Sequence, residues 1–173
     1  MTVSEKKTQY LISMETPIGQ MVAGAVDEGI CSLEFDDKTI YSNSDFEIVP
    51  KPNHHLDKLK FELEEYFEGR LKSFTVPLAM QGTEFQKKVW NVLQNITYGT
   101  TQTYKQQSEN IHQPLAIRAM AHANGQNPIA ILIPCHRVIG TNGKLTGYAG
   151  GLWRKKWLLE HERVNSPLNG TLF

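Results

Sequence analysis

Residues 133–138 read Ile-Pro-Cys-His-Arg-Val, and they hold one of the two cysteines in the chain, Cys135. A free thiol has a pKa of about 8.5, and a neighbouring base or cation that lowers it turns the sulfur into a nucleophile. His136 is such a base, but adjacent side chains of an extended chain point in opposite directions, so a bridging water or a bend would have to link it to the thiol. Pro134 before the thiol and two polar residues after it favour the end of a strand. The alternative is that Cys135 is a small buried apolar residue, which is common for a free cysteine.

A carboxylate near the C-terminus could complete a catalytic relay with these residues. A helix is predicted to begin at Leu152 and to end at His161-Glu162, so that Glu162 lies after its last turn. From there Glu162 could reach back to a histidine and act as the orienting group behind a nucleophile and a base. A surface carboxylate is the simpler interpretation of Glu162 taken alone.

The first half of the chain predicts a small sheet and one helix. Three strands, joined by tight turns, are predicted near Gln9–Ser13, Gln20–Asp27 and Ile30–Phe35. Residues 36–53 are polar and predict a loop, and residues 74–76 predict a short strand that ends at Pro77. Between them, a helix that ends at Gly69 carries an apolar stripe formed by Leu56, Leu59, Leu63 and Phe67. We find no residues in this half whose pattern indicates chemistry.

The second half predicts a series of helices. Thr83 and Gln86 form a capping box at the start of a helix whose apolar stripe reaches Ile96. Thr103 can cap a short helix that runs to about Asn110. Pro114 suits the first turn of a further helix that runs to about Asn124.

The last two of these helices are joined by a tight connection, as in a helix-turn-helix. The second contains four alanines and Arg118 within residues 115–123. Small side chains allow the close approach of a partner such as a DNA groove, but alanine is also simply the best helix former. Beyond this helix, the apolar run 129–133 leads into the cysteine motif, residues 142–143 predict a hairpin turn, and residues 147–151 predict a flexible loop.

Composition and charge restrict the class of protein. The 173 residues are 40% hydrophobic and 21% charged, as in ordinary globular proteins, and no run approaches the roughly 18 apolar residues of a membrane span. The first seven residues show no secretory signal, so we expect a cytoplasmic protein with two free thiols. No spacing of Cys and His predicts a metal site, and no cofactor is indicated.

The net charge of zero conceals two unlike halves. Residues 1–80 contain 8 basic and 14 acidic residues, a balance of −6, whereas residues 81–173 contain 10 basic and 4 acidic residues, a balance of +6. We therefore predict two domains with these bounds and a polyanion as the partner of the second. Chance scatter of the charges is the alternative.

The second half resembles the O6-alkylguanine-DNA alkyltransferase (methylated-DNA–protein-cysteine methyltransferase) family. Seven blocks carry the resemblance in order: Gly82-Thr83-Glu84-Phe85-Gln86, Tyr98-Gly99-Thr100-Thr101, Ile117-Arg118-Ala119, Asn127-Pro128, residues 133–139, Gly147-Tyr148-Ala149-Gly150-Gly151-Leu152 and residues 158–162. The first half, with Thr16-Pro17-Ile18-Gly19 and the strands after it, resembles the ribonuclease-H-like domain of that family. The resemblance implies an α+β fold, with a small N-terminal ribonuclease-H-like α/β domain before a mainly helical C-terminal domain that contains the helix-turn-helix.

The resemblance also implies a function, namely suicidal repair of O6-alkylguanine, and of O4-alkylthymine, in duplex DNA by a monomer that binds the minor groove. It makes Cys135 the alkyl acceptor, which His136 deprotonates through a water, and it makes Glu162 the residue that orients His136. Asn127 would lie at a hinge beside the helix-turn-helix, and Tyr104 would assist base flipping and donate a proton to the purine.

Further residues are assigned to DNA and to the alkyl-guanine pocket by the same resemblance. Arg118 would enter the stack in place of the flipped base, with Ala119 and Arg137 also facing DNA. The pocket would be lined by Pro134, Tyr148, Ala149 and Lys155. Ser108, Glu109 and Ala149 depart from the usual residues of the family at their positions.

Two other functions remain open at this point. A non-catalytic relative would bind the lesion without transferring its alkyl group, but such proteins replace the acceptor cysteine. A thiol hydrolase could use Cys135, His136 and Glu162, but it would leave the alanine-rich helix and the basic half unexplained.

Overall fold

The first half of the chain folds into a four-stranded sheet. In the computed structural model, which describes residues 6–37 and 46–167, the strands are β1 (Lys7–Thr16), β2 (Gly19–Val26), β3 (Gly29–Phe35) and β4 (Phe46–Val49). Their spatial order is β3-β2-β1-β4, and the first three form the antiparallel meander that the sequence predicts. Strand β4 lies within the predicted loop 36–53 and pairs parallel to β1, so that prediction is wrong at residues 46–49. The described residues do not include residues 38–45 of the same loop. They also do not include residues 1–5, which belong to the N-terminal segment in which no secretory signal is predicted.

One helix covers this sheet. Helix α1 (His54–Phe67) begins at Asn53, whose side chain accepts a hydrogen bond from the backbone N–H of Leu56. Its buried face includes the predicted Leu56, Leu59 and Leu63 and adds Tyr66. The strand predicted at residues 74–76 does not form, because the backbone N–H groups of Thr75 and Val76 donate to the buried carboxylate of Glu62 instead of to a neighbouring strand.

The second half is mainly helical. It comprises α2 (Glu84–Leu93), β5 (Gln102–Thr103), α3 (Tyr104–Asn110), α4 (Ile117–Gly125), β6 (Val138–Ile139) and α5 (Leu152–Asn165). Capping boxes begin both α2, as predicted, and α3, where Thr103 pairs with Gln106. Helix α4 begins at Ile117, after Pro114 rather than at it, and the buried side chains of Gln107 and Asn124 exchange two hydrogen bonds of 2.8 and 2.7 Å that fix α3 against α4.

The apolar run before Cys135 is not a strand. Only Ile129 bridges a strand, at Leu33 of β3, and Ile131 has a φ of +70°, which breaks an extended chain. Residues 135–137 then form a short 3₁₀ turn. The prediction of a strand end at Cys135 is therefore wrong. The cysteine is half-buried and follows a compact loop whose residues 131–134 are buried.

Both halves contribute to one hydrophobic core. Buried residues of the sheet and α1 pack with those of α2, α4, α5 and the loop 129–133. The buried guanidinium of Arg154 in α5 adds to this contact, since it donates to the partly exposed carboxylate of Asp37 and, at 2.7 Å, to the carbonyl oxygen of Ile18. Within residues 6–37 and 46–167, no helix is long and apolar enough to cross a membrane.

Candidate active site

The thiol of Cys135 is held by the side chain of Asn127. The Asn127 amide nitrogen donates to the sulfur at 3.3 Å and to the carbonyl oxygen of Ile133 at 2.7 Å, while its carbonyl oxygen accepts from the N–H of Ile129 at 2.9 Å. These bonds close the loop that carries the cysteine, so Asn127 positions the nucleophile directly. Burial raises the pKa of the Cys135 thiol, and the hydrogen bond from Asn127 and the charge of Lys155 offset only part of that rise. The resting thiol is therefore protonated at neutral pH and needs a base.

His136 can supply that base. Its Nε2 lies 2.7 Å from Oε1 of Glu162, and both side chains are fully buried. A carboxylate only accepts, so Nε2 carries the proton and the lone pair lies on Nδ1. Nδ1 is buried and has no hydrogen-bond partner within the described part of the chain. Burial lowers the pKa of His136 despite the attraction of Glu162, which keeps the imidazole neutral and able to accept a proton.

Glu162 lies in the interior, not on the surface. Helix α5 continues to Asn165, so the prediction that Glu162 follows the last turn is wrong, and the side chain points inward with no exposed area. Burial alone would raise the pKa of this carboxyl, but the interactions with His136 and Arg137 outweigh it and hold the pKa well below its usual range. The group is thus a permanently charged acceptor behind the imidazole.

Arg137 is the counter-ion of this carboxylate. Its Nε and Nη2 donate to the two oxygens of Glu162 at 2.8 and 2.9 Å, and Nη1 donates to the carbonyl oxygen of Ile96 at 2.6 Å. The guanidinium is buried. The prediction that Arg137 faces DNA is therefore wrong, because all three nitrogens are already used inside the protein.

Two further donors to Glu162 come from residues that no sequence motif indicates as part of the site. The hydroxyl of Tyr66 in α1 donates to Oε1 at 2.8 Å, and the N–H of Gly99 lies 3.4 Å from Oε2. The first half of the chain thus contributes to the site, contrary to our expectation. A signal was available, because a tyrosine on the apolar face of a helix needs a partner for its hydroxyl.

Lys155 fixes the loop that borders the cysteine. Its ammonium group donates to the carbonyl oxygens of Val138 and Thr146 at 2.6 and 3.0 Å, and the hydroxyl of Tyr104 donates to the same Thr146 oxygen at 3.1 Å. The residue is fully buried, and burial lowers its pKa to about 8. Lys155 was predicted to line the pocket, but it supports the wall of the pocket from behind.

Two cavities meet at Cys135. One, of about 460 Å³, lies against α4 and is lined by Tyr104, Ile117, Arg118, Ala121, Tyr148 and Ala149. The other, of about 660 Å³, lies towards β3 and shares Tyr148 and Ala149 with the first. Pro134 borders neither cavity and lies on the opposite side of the loop, beside Tyr98 and Arg137. The hydroxyl of Tyr148 is buried without a partner among the described residues, and burial raises its pKa well above its usual range.

The exposed face of α4 borders the first cavity. Arg118, which is one turn before Ala121, and Ala119 are both exposed at the start of the helix. Ser108 of α3, one of the departures from the family pattern, is buried, and its hydroxyl donates back to the carbonyl oxygen of Lys105. The hydroxyl therefore needs no partner outside its own helix.

The positive charge of the second half is partly internal. Three of its ten basic residues, Arg137, Arg154 and Lys155, are buried and bonded to protein acceptors. Lys88, Lys105, Arg118, Lys144 and Lys156 are exposed. In the described part of the chain, no three His, Cys, Asp or Glu side chains converge as metal ligands.

Two family models match the two halves of the chain. Residues 9–80 match the ribonuclease-like domain of 6-O-methylguanine DNA methyltransferase, and residues 84–164 match its DNA binding domain. A methylated-DNA–protein-cysteine methyltransferase of Methanosarcina acetivorans is 46% identical over 159 residues, which cover 88% of this chain and 97% of that protein. The chain belongs to the 6-O-methylguanine DNA methyltransferase family.

Other members of this family match over a similar length. A methyltransferase of the same name from Mycolicibacterium paratuberculosis is 44% identical over 93% of this chain and 96% of that protein. The crystal structure of Mycobacterium tuberculosis OGT in complex with DNA has a TM-score of 0.82 and 39% identity, and the match covers 92% of this chain and 96% of that one. The predicted fold class, a ribonuclease-like domain before a helical DNA-binding domain, is thereby confirmed.

Proposed function

We propose that this protein repairs DNA by transferring the alkyl group of O6-alkylguanine to Cys135, once per molecule. The observation that carries the proposal is the position of Cys135, where a cavity bordered by Arg118 of α4 meets a thiol backed by the buried pair His136–Glu162. The family, and the DNA complex of a relative, support DNA as the partner.

The reaction is a displacement at the alkyl carbon. The thiol proton passes through a bridging water to Nδ1 of His136. The sulfur forms a bond with the carbon, and the carbon–O6 bond breaks with its electron pair going to the guanine. A proton returned to the purine completes the balance, and we assign its delivery to Tyr104. Its side chain lines the cavity, and its hydroxyl would turn to the purine from the carbonyl oxygen of Thr146. The products are guanine and a thioether. A thioether is stable to the acid and base groups of this site, so each molecule acts once.

The lesion must leave the helix before this step. O6 of guanine lies within the base stack, and an enzyme that acts on it flips the nucleotide into its pocket. Arg118 is exposed at the first turn of α4, beside the cavity, and suits the role of filling the vacated stack. The small alanines of α4 allow its backbone to approach the minor groove closely. We include O4-alkylthymine as a substrate, a monomer as the acting form and the cytoplasm as the location in this proposal.

The deciding experiment is the intact mass of the protein after incubation with duplex DNA that contains O6-methylguanine. We expect one added methyl group per protein and an equal amount of repaired guanine. A tight complex without mass change would make the protein a lesion binder. Product formation beyond one equivalent would make it a thiol hydrolase.

Replacing Arg118 with alanine should slow repair of duplex DNA far more than reaction with free O6-benzylguanine. Unstacking a base costs a few kcal/mol, so the loss of the residue that compensates for it should slow duplex repair by roughly ten- to a hundredfold. The free base has no stack to fill and serves as the internal control. Single-turnover rates on the two substrates test this, and equal losses would mean that Arg118 acts in the chemistry itself.

DNA binding should weaken steeply with salt. Each phosphate that a cation neutralises contributes a slope of about −0.9 to log K against log salt concentration. Lys105→Ala on α3 should therefore reduce the slope by about that amount, whereas Lys58→Ala, which removes another exposed cation on α1, should leave it unchanged. Fluorescence anisotropy with an undamaged duplex measures both. A flat salt dependence of the unmodified protein would argue against DNA as the partner.

A further inference from the structure

The buried carboxylate behind the active site is held partly by the N-terminal half of the chain. Oε1 of Glu162 accepts from Nε2 of His136 at 2.7 Å, from the hydroxyl of Tyr66 at 2.8 Å and from Nη2 of Arg137 at 2.9 Å. Tyr66 and the imidazole therefore share one oxygen atom. Any change at the hydroxyl alters the charge that the imidazole faces.

Tyr66 cannot easily move away from this oxygen. Its side chain is fully buried in the last turn of α1. Four rings surround it with centroids 5.3 to 6.1 Å away, those of Phe67, Phe74, Tyr98 and His161. The ring nitrogen Nε2 of His161 also lies 2.7 Å from the backbone carbonyl oxygen of Tyr66. Two consecutive residues of α5, His161 and Glu162, thus bond to the same tyrosine.

The hydroxyl of Tyr66 stays protonated, and therefore remains a donor, at neutral pH. Burial and the adjacent Glu162 carboxylate raise the pKa of Tyr66 well above its usual range. A hydrogen bond to a charged acceptor is stronger than a neutral one and withdraws charge from it. The bond from Tyr66 therefore makes Oε1 a weaker attraction for a proton on the imidazole.

We propose that Tyr66 is a positioning residue for alkyl transfer, which fixes the Glu162 carboxylate and limits its pull on His136 so that the imidazole stays a neutral base. The proposal rests on the function proposed above. It assigns the N-terminal domain a part in the chemistry, through α1, in addition to its part in the core.

The charged and titratable groups around this pair act in known directions. His136 faces Glu162 and Lys155 of α5 and Arg137 of its own turn. Glu162 also faces the hydroxyls of three tyrosines, Tyr66 of α1 and Tyr98 and Tyr148 of two loops. Arg137 and Lys155 oppose a positive imidazole, as does burial, and Glu162 favours it. Loss of the Tyr66 hydroxyl strengthens only the attraction of Glu162 for a positive imidazole.

Tyr66→Phe should therefore raise the pKa of His136. Because the neutral imidazole is the base, the acid limb of the pH–rate profile should move upward by about half a pH unit or more, and rate should be lost at a pH where the unmodified protein is still fully active. Tyr98→Phe is the matched control. It removes a buried hydroxyl from the same ring cluster, one that has no hydrogen-bond partner in the described residues, and it should leave the limb in place.

Two measurements separate this role from a structural one. Single-turnover transfer from O6-methylguanine DNA is followed across pH for both variants, and the titration of the His136 ring is followed by NMR in the absence of DNA. An unmoved limb and an unmoved ring titration in Tyr66→Phe, with an equal rate loss at every pH, would overturn the proposal and leave Tyr66 as a packing residue. Urea unfolding of each variant shows whether it is folded under the assay conditions.

The NMR titration also keeps this proposal apart from the proposed function. If the unmodified protein transfers no alkyl group, the proposed function fails, while a raised His136 pKa in Tyr66→Phe would still show the coupling. Repeating Tyr66→Phe in a Glu162→Gln background tests whether the hydroxyl acts on His136 through the Glu162 carboxylate. The effect of the hydroxyl on His136 should vanish there, since the charge through which it acts is gone, and a persistent shift would contradict the proposed route.

Discussion

Replacing Cys135 with serine is expected to abolish alkyl transfer, with a loss of at least about a thousandfold in single-turnover rate. The hydroxyl occupies nearly the same space and can accept the hydrogen bond that Asn127 now donates to the sulfur at 3.3 Å. It is, however, a much weaker nucleophile than a thiolate towards a saturated carbon, and His136 cannot deprotonate it to a useful extent. DNA binding should persist, because Cys135 lies on the floor of the cavities and not on the exposed face of α4.

Cys31→Ala provides the matched control, and it should transfer one full equivalent. Cys31 is a buried residue of β3, its sulfur accepts from the side chain of Gln9 at 3.4 Å, and burial raises its pKa. Peptide mass mapping after reaction with O6-methylguanine DNA should find the methyl group on the peptide that contains Cys135 alone. A methyl group on Cys31, or continued transfer by Cys135→Ser, would refute the assignment of the acceptor.

The sequence located the residues of the site better than their surroundings. The motif around Cys135 can be recognised from sequence because a thiol, an imidazole and a guanidinium are adjacent in the chain. The conformation of the loop before it cannot be predicted in this way, because the apolar run 129–133 suits a buried strand and a buried loop equally well. Asn127 decides between them, since its amide bonds to both ends of that run and closes it into a loop.

Helix α5 shows why the burial of Glu162 was missed. Lys155, Leu158, Leu159 and Glu162 follow the spacing i, i+3, i+4, i+7 of a core-facing stripe, but two of the four are charged. A rule that assigns charged residues to the surface therefore hides the stripe. The partners that make burial possible, Arg137, His136 and the carbonyl oxygen of Val138, come from elsewhere in the chain, and only the tertiary structure shows them.

Arg137 is a second charged residue whose burial the sequence does not reveal. Sequence alone treats every basic residue of the second half as available to a polyanion, and the balance of +6 suggests a strongly positive surface. Buried cations with protein partners contribute to folding and to the pKa values of the site, but they release no counter-ions from DNA. The salt dependence should therefore reflect the exposed residues of the second half and not its formal charge.

Glu162→Gln is expected to slow alkyl transfer strongly while leaving the affinity for DNA nearly unchanged. Both oxygens of the carboxylate are surrounded by donors, from His136, Arg137, Tyr66 and Gly99. The amide that replaces the carboxylate has an NH₂ group on one side, so at least one of these hydrogen bonds is replaced by two donors that face each other. The imidazolium formed during the reaction also loses its counter-charge. The buried charge of Arg137 also loses its partner, which should lower the free energy of unfolding by about 3–5 kcal/mol.

The pH dependence of stability gives this prediction an independent readout. The pKa of Glu162 is lower in the folded than in the unfolded protein, so its contribution is complete above the unfolded value of about 4.3 and is lost as pH falls below it. Urea unfolding from neutral to acid pH should therefore show a smaller acid loss in Glu162→Gln than in the unmodified protein. Glu160→Gln, two residues away on the exposed side of α5 and paired there with Arg163, should leave the rate unchanged and alter this profile only slightly, because its ion pair is exposed to solvent. Transfer rates in Glu162→Gln equal to those of the unmodified protein at every pH would mean that the carboxylate holds the fold alone and that His136 acts without it.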